Sequence, residues 1–352
     1  MEKEIIYIVG FGWASIGFLH NIDNTKYTTI VISDKDYFLY TPLLAQNVVQ
    51  DKDLTINIKE LQHKCSYIKG KIIDLDIKKN ELISDKDIYK YNYAVFSHGS
   101  DVNTFNIQGV QENTFFLKTH NDYIKIRDQL LKLKTPSNIA VIGCGLTGSE
   151  LIGTLNDLNK HNIIAIDALK RPLSTFCEKL SNDAIELWKK NNVNIHLNSM
   201  VKKINKNSID IKDSPSISFD LAIWCGGIKS NKLSQTVNKQ LQLSCLKGIP
   251  VDNYLHIKNQ DKLFAIGDCA VSGYPPTAQV AYKQGEYLAK QFNNKFTLQP
   301  FEYSSKGQVG YIGNKESIFQ NNYFSGSGRM IGVLNKAIHI YNYGKMYVLS
   351  KF

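Results

Sequence analysis

The sequence predicts an α/β protein with two Rossmann-like units, in each of which parallel strands alternate with helices. Two glycine loops, at residues 10–15 and 143–150, support this prediction, since each follows a run of β-branched residues and precedes an amphipathic stretch. A third observation is the short apolar run 263–266, which ends at Gly267 and Asp268 before another helical stretch. The 352 residues are enough for two domains with ordinary cores.

The first loop contains Gly10 and Gly12. Glycines allow backbone N–H groups to approach a pyrophosphate, and the N-terminus of the following helix adds partial positive charge. The second strand of this unit is predicted at residues 27–32. An acidic residue near the end of that strand commonly binds a ribose hydroxyl, and here Asp34 stands one position further along.

The second loop has the same pattern, and its next strand, residues 163–166, ends at Asp167. This carboxylate lies about 20 residues beyond the loop, where it is expected to bind the ribose 2′-hydroxyl and to select NAD; the alternative is a purely structural carboxylate. The other residues predicted at this nucleotide are Gly143, Gly145, Thr147, Gly148, Glu150 and, in the glycine pair after the strand 221–225, Gly226. Two such units side by side are typical of a protein that holds a flavin beside a nicotinamide.

Apolar spacing predicts the remaining elements. A polar-edged hairpin is expected within residues 74–90, and a buried strand at 93–97 leads to His98 and Gly99. Further predicted elements are helices at 119–133 and 180–190, a strand at 193–196, and a helix whose first turn contains Pro275 and Pro276.

Composition limits the functional classes. The apolar content of 43% is ordinary for a soluble globular protein, and no apolar run approaches the roughly 20 residues that span a bilayer. The six scattered cysteines lack a C-x-x-C pair, which favours a reducing, cytoplasmic compartment and disfavours a dithiol centre. The first predicted strand begins so close to Met1 that we expect no signal or transit peptide. The sequence shows no metal-ligand cluster and no nucleic-acid motif, so neither partner is predicted.

The net charge of +10 partly reflects a composition rich in lysine and asparagine. From Ser317 to the end, however, the chain has basic residues and aromatics but no acidic residue. Met330, Leu334 and Tyr341 belong to an apolar stripe with helical spacing, opposite a polar face that includes Asn335 and His339. This segment predicts peripheral contact with an anionic membrane; the alternative is a helix packed on the protein's own core or on a second subunit of a homodimer.

Several colinear motifs together indicate a family. The most specific is Gly267-Asp268 followed by Pro-Pro-Thr-Ala-Gln-Val-Ala at 275–281. The others lie at residues 10–14, 37–44, 103–118 and 311–313. With these motifs the chain resembles the type II NADH:quinone oxidoreductases, and most of all the mitochondrial-type members of this two-dinucleotide-binding-domain flavoprotein class.

The resemblance implies a fold, domain ranges and site residues. An FAD domain, 1–117 and 246–300, would be interrupted by an NADH domain, 118–245, and followed by a C-terminal region, 301–352, that contacts quinone, membrane or a second subunit. Glu150, Gln279 and Lys283 would lie near the reacting groups. The implied FAD contacts are Gly10, Gly12, Trp13, Ala14, Asp34, Thr41, Pro42, Gly99, Gly267, Asp268, Ala278 and Gln279. Trp13 either covers the pyrophosphate or packs in the core.

Three departures from the family pattern bear on mechanism. Thr154 replaces a second glutamate four residues after Glu150, and Lys283 replaces a glutamine. Only eight residues follow Gly344, too few for the second amphipathic helix that many members have. The resemblance implies electron transfer from NADH through FAD to a quinone without proton pumping. The departures leave two alternatives: a soluble NADH oxidoreductase with a protein or oxygen acceptor, and a non-catalytic flavoprotein that senses NADH or binds partners.

Overall fold

The computed structural model describes residues 3–351; the predicted ranges 1–117 and 301–352 therefore include residues (1, 2 and 352) that lie outside the described part. The strands are β1 (Glu4–Val9), β2 (Tyr27–Ser33), β3 (Tyr37–Leu39), β4 (Thr55–Asn57), β5 (Ser66–Lys69), β6 (Ile72–Asp76), β7 (Glu81–Ser84), β8 (Ile88–Lys90), β9 (Tyr93–Phe96), β10 (Asp101–Val102), β11 (Phe115–Phe116), β12 (Asn138–Ile142), β13 (Asn162–Ile166), β14 (Asn194–His196), β15 (Val201–Ile204), β16 (Ser208–Ile211), β17 (Ile217–Ser218), β18 (Leu221–Trp224), β19 (Ile228–Lys229), β20 (Ile249–Pro250), β21 (Leu263–Ala265), β22 (Ala270–Val271), β23 (Gln308–Gly313), β24 (Glu316–Gln320) and β25 (Ser325–Gly328).

The α-helices are α1 (Trp13–Leu19), α2 (Leu44–Gln50), α3 (Val110–Asn113), α4 (His120–Lys132), α5 (Leu146–Asn156), α6 (Glu178–Lys190), α7 (Lys232–Gln240), α8 (Ala278–Asn293) and α9 (Arg329–Lys351). Short 3-10 helices cover Thr41–Leu43, Ile58–Leu61 and Gly267–Cys269.

Two parallel five-stranded sheets form the framework. The first has the order β21-β9-β1-β2-β5, and the second has the order β11-β18-β12-β13-β14. Strand β21 belongs to the first sheet although it follows the whole second sheet in sequence, so the predicted interruption of one unit by the other is confirmed. Strand β11 already belongs to the second sheet, slightly before the predicted boundary at residue 117, because it pairs with β18.

Apolar residues along these strands make the cores. The strands β1, β9 and β12 are almost completely buried, as expected for parallel strands that helices cover on both faces. Three three-stranded antiparallel sheets are added: β6-β7-β8, which confirms the predicted hairpin, β15-β16-β17, and β23-β24-β25 near the C-terminus. The last of these packs on α5 and carries α9.

Helix ends were predicted from the sequence with different accuracy. Helix α4 lies between Thr119, whose hydroxyl caps the backbone N–H of Asp122, and Leu133, as the spacing predicts. The prediction for α8 was wrong by two residues. Thr277 rather than a proline caps this helix, since its hydroxyl accepts from the N–H of Val280, and the prolines precede the first turn.

The C-terminal helix α9 is the longest of the described helices, and it continues through Gly344 to Lys351. A Cβ at Gly344 would meet no atom within 4 Å, and nothing there forces a break. The predicted two-sidedness is correct: Asn335 and His339 are buried against the body, while Met330 and Tyr341 are exposed.

Candidate dinucleotide sites

A cavity of about 820 Å³ lies beside the first glycine loop. It lies where the carboxyl ends of β1, β2 and β9 meet, the usual position of ligands in open α/β sheets. Its volume is within the range of about 300–1,000 Å³ that is usual for ligand pockets. Predicted FAD contacts that line it are Gly10, Gly12, Trp13, Ala14, Asp34, Thr41, Gly99, Gly267, Asp268 and Ala278. Pro42 and Gln279, predicted with them, are not among the residues that line it.

The first loop is held tightly at one glycine and left open at the next. Gly10 has φ +104°, and a Cβ there would lie 2.7 Å from the Cα of His98, so only glycine fits. Its N–H donates to the carbonyl of Ile32 at 2.9 Å. By contrast, a Cβ at Gly12 would meet nothing within 4 Å. The backbone at Gly12 thus faces open space from which a ligand can approach.

Trp13 packs in the core and also borders the cavity. Its ring packs against Phe38 and Tyr40, at centroid distances of 5.0 and 5.3 Å. Its indole N–H donates to the Thr41 hydroxyl at 2.9 Å, while the ring still lines the cavity. The indole is therefore a fixed wall of the site.

One functional candidate was missed from the sequence: Lys118, which lies directly after the second sheet begins. Its ammonium donates to the Ser100 hydroxyl at 2.9 Å, and that hydroxyl donates to Asp268 at 3.4 Å. Burial lowers the pKa of Lys118, while the carboxylates of Asp268 and Asp101 oppose this shift. A partly desolvated cation on the wall of a nucleotide-sized cavity is suited to phosphate oxygens. A lysine at the crossover between the two units was the signal available in the sequence.

The second glycine loop repeats the geometry of the first. Gly143 has φ +96°, and its N–H donates to the carbonyl of Ile166 at 2.8 Å, as Gly10 donates to Ile32. Gly145 caps α5 in extended conformation, and a Cβ there would again meet nothing within 4 Å. Gly226 lies against the first of these glycines at the end of β18. Thr147, in the first turn of α5, also lines the large cavity, so the two loops border adjoining space.

Asp167 makes structural hydrogen bonds in addition to any contact with a ribose. One carboxylate oxygen accepts from the N–H of Cys144, and the other accepts from the N–H of Leu169 at 2.7 Å. These bonds tie the glycine loop to the turn after β13. Each carboxylate oxygen keeps a free lone pair, so the ribose contact stays a prediction.

Two side chains predicted to be catalytic are not among the residues that line the cavity. Glu150 points into the core, where its carboxyl accepts from the N–H of Tyr311 at 3.4 Å, and it is absent from the cavity wall. Burial raises its pKa to about 8. Lys283 is exposed and pairs with Glu286 at 2.6 Å. It lies two positions after the cavity-lining Ala281, which places it on the opposite side of the helix.

The neighbouring predicted residues complete this description. Thr154, which stands where the family has a glutamate, donates its hydroxyl to the backbone carbonyl of Glu150 at 2.8 Å. Gln279 turns away from the cavity toward the segment 303–307.

All six cysteines, which fall within residues 3–351, are free thiols. In the same residues His, Cys, Asp and Glu form no metal-binding group of three.

The cavity residues fit FAD. Gly12 and Gly99 leave open space where a Cβ would stand, as close approach of a pyrophosphate requires. Lys118 offers positive charge, and Asp268 offers a carboxylate that can accept from ribitol or ribose hydroxyls. Two parallel sheets, each with a glycine loop before a helix, therefore define a two-dinucleotide-binding-domain α/β protein.

The comparison with protein families agrees with this class. The pyridine nucleotide-disulphide oxidoreductase family matches residues 5–285, and the chain belongs to that family. A probable NADH dehydrogenase of Dictyostelium discoideum is 30% identical, over 93% of this chain and 83% of the relative. The type II NADH:quinone oxidoreductase of Haemophilus influenzae is 26% identical, over 88% of this chain and 85% of the relative.

The fold has a close structural counterpart. The structure of NDH2 from Plasmodium falciparum in complex with NADH superposes with a TM-score of 0.90 over 99% of this chain and 98% of the other. The two sequences are 23% identical, so this likeness concerns the fold. The resemblance to type II NADH:quinone oxidoreductases, which the sequence motifs indicated, is confirmed.

Proposed function

We propose that this protein is an FAD-dependent NADH:quinone oxidoreductase that transfers electrons without pumping protons. The observation that carries the proposal is the matched pair of glycine loops, which have the same backbone hydrogen bonds and border adjoining space. Relatives named as NADH dehydrogenases and as a type II NADH:quinone oxidoreductase support it. When bound, FAD supplies the chemistry that accepts a hydride from a nicotinamide and returns two electrons.

The chain's own residues bind and orient. We assign the pyrophosphate of FAD to the first loop and Lys118, and its hydroxyls to Asp268. We assign NADH to the second loop, at the open backbone of Gly145. The N-terminus of α8, which begins beside the cavity at Ala278, adds partial positive charge that favours an anionic ligand edge.

One experiment separates this function from the two alternatives. Purified protein is titrated with NADH without oxygen while flavin absorbance is followed, and a short-chain ubiquinone is then added. Bleaching by NADH followed by recovery with quinone is the expected result. Recovery with oxygen or a protein acceptor alone would support a soluble oxidoreductase, and a yellow protein that does not bleach would support a sensor.

We also propose that α9 binds the surface of an anionic membrane. Its outward side chains include Met330, Val333 and Ile340, which are 87%, 71% and 75% exposed. Arg329 and Lys336 are exposed on the same helix. Exposed apolar residues bordered by basic ones, with no acidic residue after Glu316, match a bilayer with anionic lipids.

The inward face of α9 explains why its apolar side is left outside. Asn335 donates to the Ser317 hydroxyl at 3.0 Å, and His339 lies 3.2 Å from the Tyr40 hydroxyl. The Tyr343 hydroxyl donates to the carbonyl of Asp53 at 3.2 Å. These polar contacts, together with the buried Met346, dock the helix on the body of the protein. Within residues 3–351 no helix is long and apolar enough to cross a membrane.

Glutamate at both Val333 and Ile340 is expected to reduce binding to phosphatidylglycerol vesicles by roughly tenfold or more, because two inserted side chains are lost. Co-sedimentation measures the bound fraction. The matched control is Leu131→Glu on α4, where the leucine is 78% exposed, and it should bind as the wild type does. Equal sedimentation of all three proteins would contradict the proposal. A wild-type dimer that the double variant dissociates would assign the face to a second copy.

A further inference from the structure

One wall of the FAD cavity is formed by a small two-stranded sheet, rather than by the parallel sheet that carries the first glycine loop. Strand β3 pairs only with β4 in the described part of the chain. Tyr37 and Leu39 of β3, and Thr41 shortly after it, line the cavity. Two antiparallel strands alone are marginally stable and need another element packed on them. The position of this wall therefore depends on what lies behind it.

The alternate side chains of the same segment face away from the cavity, as the two-residue period of a strand requires. Phe38 and Tyr40 are 0% and 1% exposed. Both rings pack against the indole of Trp13, which itself lines the cavity and donates to the Thr41 hydroxyl. Tyr40 thus supports the indole from the side opposite the ligand.

Helix α9 packs on the other side of Tyr40. The ring of Tyr343 lies 5.4 Å from the ring of Tyr40 in an edge-to-face arrangement, and Nδ1 of His339 lies 3.2 Å from the Tyr40 hydroxyl. The Tyr343 hydroxyl also donates to the carbonyl oxygens of Asp53, at 3.2 Å, and of Thr55, at 3.5 Å. Since Thr55 belongs to β4, one helix supports both strands of the small sheet.

The imidazole of His339 does more than attach the helix. This side chain is 8% exposed, and its Nε2 has no hydrogen-bond partner within residues 3–351. Burying a polar ring with one nitrogen unpaired costs free energy, and an apolar side chain would dock the helix without that cost. What the imidazole adds is a hydrogen bond that fixes the hydroxyl of Tyr40, and with it the position of that ring.

We propose that Tyr40 is a positioning residue for FAD, and that through it α9 is part of the FAD site. His339 holds Tyr40, and Tyr40 holds the indole of Trp13 at the cavity wall. This inference rests on the FAD assignment within the proposed function and does not depend on the electron acceptor. Without the hydrogen bond from His339, the Tyr40 ring and the indole gain freedom. FAD must then order them when it binds, and it is held more weakly.

The test measures how fast FAD leaves the FAD-loaded protein after dilution, followed as an increase in flavin fluorescence. We expect His339→Leu and Tyr40→Phe each to release FAD about fivefold faster, the effect of one lost hydrogen bond. The combination should release it no faster than the faster single variant, because both remove the same bond. In a Trp13→Phe background His339→Leu should have no further effect, a result that a merely structural role would not give.

The matched control is Asn335→Leu, one turn earlier on α9. The Asn335 amide donates to the hydroxyl of Ser317 on β24 at 3.0 Å and makes no hydrogen bond to Tyr40. Its release of FAD should remain that of the wild type. Wild-type release in both His339→Leu and Tyr40→Phe, or equal acceleration in Asn335→Leu, would overturn this inference and leave the proposed function standing. A wild-type protein that binds no FAD would overturn the proposed function, and this inference with it.

Discussion

A Gly148→Ala variant is expected to lose NADH binding while it retains FAD. A Cβ on Gly148 would lie 1.8 Å from the carbonyl oxygen of Gly143. This is a backbone atom of the second glycine loop, so it cannot move aside as a flexible side chain can. The loop and the start of α5 must separate, and the open backbone at Gly145 is displaced from the position that the pyrophosphate needs.

The measurement is an anaerobic titration of the flavin absorbance with NADH. We expect the concentration for half-bleaching to rise by roughly a hundredfold or more, as for overpacking that costs about 3 kcal/mol. Flavin content per chain should stay at the wild-type value, since the first sheet and its cavity are unaltered. Bleaching at wild-type NADH concentrations would show that the second loop does not bind NADH.

A glycine in the predicted FAD domain provides the reciprocal control. A Cβ at Gly17 would lie 2.2 Å from the carbonyl oxygen of Tyr282, at the contact between α1 and α8. Gly17→Ala should therefore reduce flavin content, and the NADH-binding unit should remain folded. If Gly148→Ala loses NADH binding but keeps flavin, and Gly17→Ala loses flavin, one dinucleotide is assigned to each loop.

The sequence predicted what depends on local geometry. The glycine loops at Gly10 and Gly143 were found because only glycine adopts their backbone conformation beside a neighbouring strand. Helix α4 was found from its apolar spacing, and Thr119, at the start of the predicted range, is its N-terminal cap in the structure. In both cases the signal that predicts the element lies in a few consecutive residues of the sequence.

The remaining site residues depend on tertiary contacts. Spacing placed Asp167 near a ribose, but it could not show that the N–H groups of Cys144 and Leu169 already occupy one site on each oxygen. Lys283 was assigned by resemblance, although Glu286, three residues later, was an available partner in the sequence. Lys118 is recognised as a site candidate only in the structure, because the fold brings Ser100 and Asp268 beside it.

The orientation of α9 illustrates the same limit. Periodicity located its apolar and polar faces, but it does not tell which face is turned inward. The polar face is inside because Ser317 and Tyr40, from distant parts of the chain, offer hydrogen bonds to Asn335 and His339. A buried polar group is stable only when such partners exist.

Glu150 makes stability depend on pH in a direction opposite to that of most carboxylates. Burial raises its pKa from the ordinary 4.5 to about 8, and the N–H of Tyr311 only partly opposes this. Below pH 4.5 the group is neutral in both folded and unfolded chains. Between pH 4.5 and 8 the unfolded chain releases the proton and the folded chain keeps it, so this group makes the protein less stable as pH rises.

A Glu150→Gln variant should therefore lose this dependence. It keeps the size of the side chain and a carbonyl that accepts from Tyr311, but it carries no ionisable group. Relative to the wild type its free energy of unfolding should rise between pH 5 and 8, by up to about 5 kcal/mol, and then level off. Unfolding by urea at several pH values, with FAD in excess, measures the difference in free energy of unfolding between the variant and the wild type. The contributions of the other titrating groups cancel in this difference.

The matched control is Glu186→Gln on the exposed side of α6, which should change stability little at any pH. A Glu150→Gln variant whose advantage over the wild type is the same at pH 5 and pH 8 would contradict the raised pKa. A variant that is less stable at pH 8 than the wild type would mean that the ionised carboxylate has a partner in the folded protein. Because Thr154 stands where the family has a second glutamate, Glu150 has no neighbouring carboxylate at that position, and burial alone must account for the pH dependence.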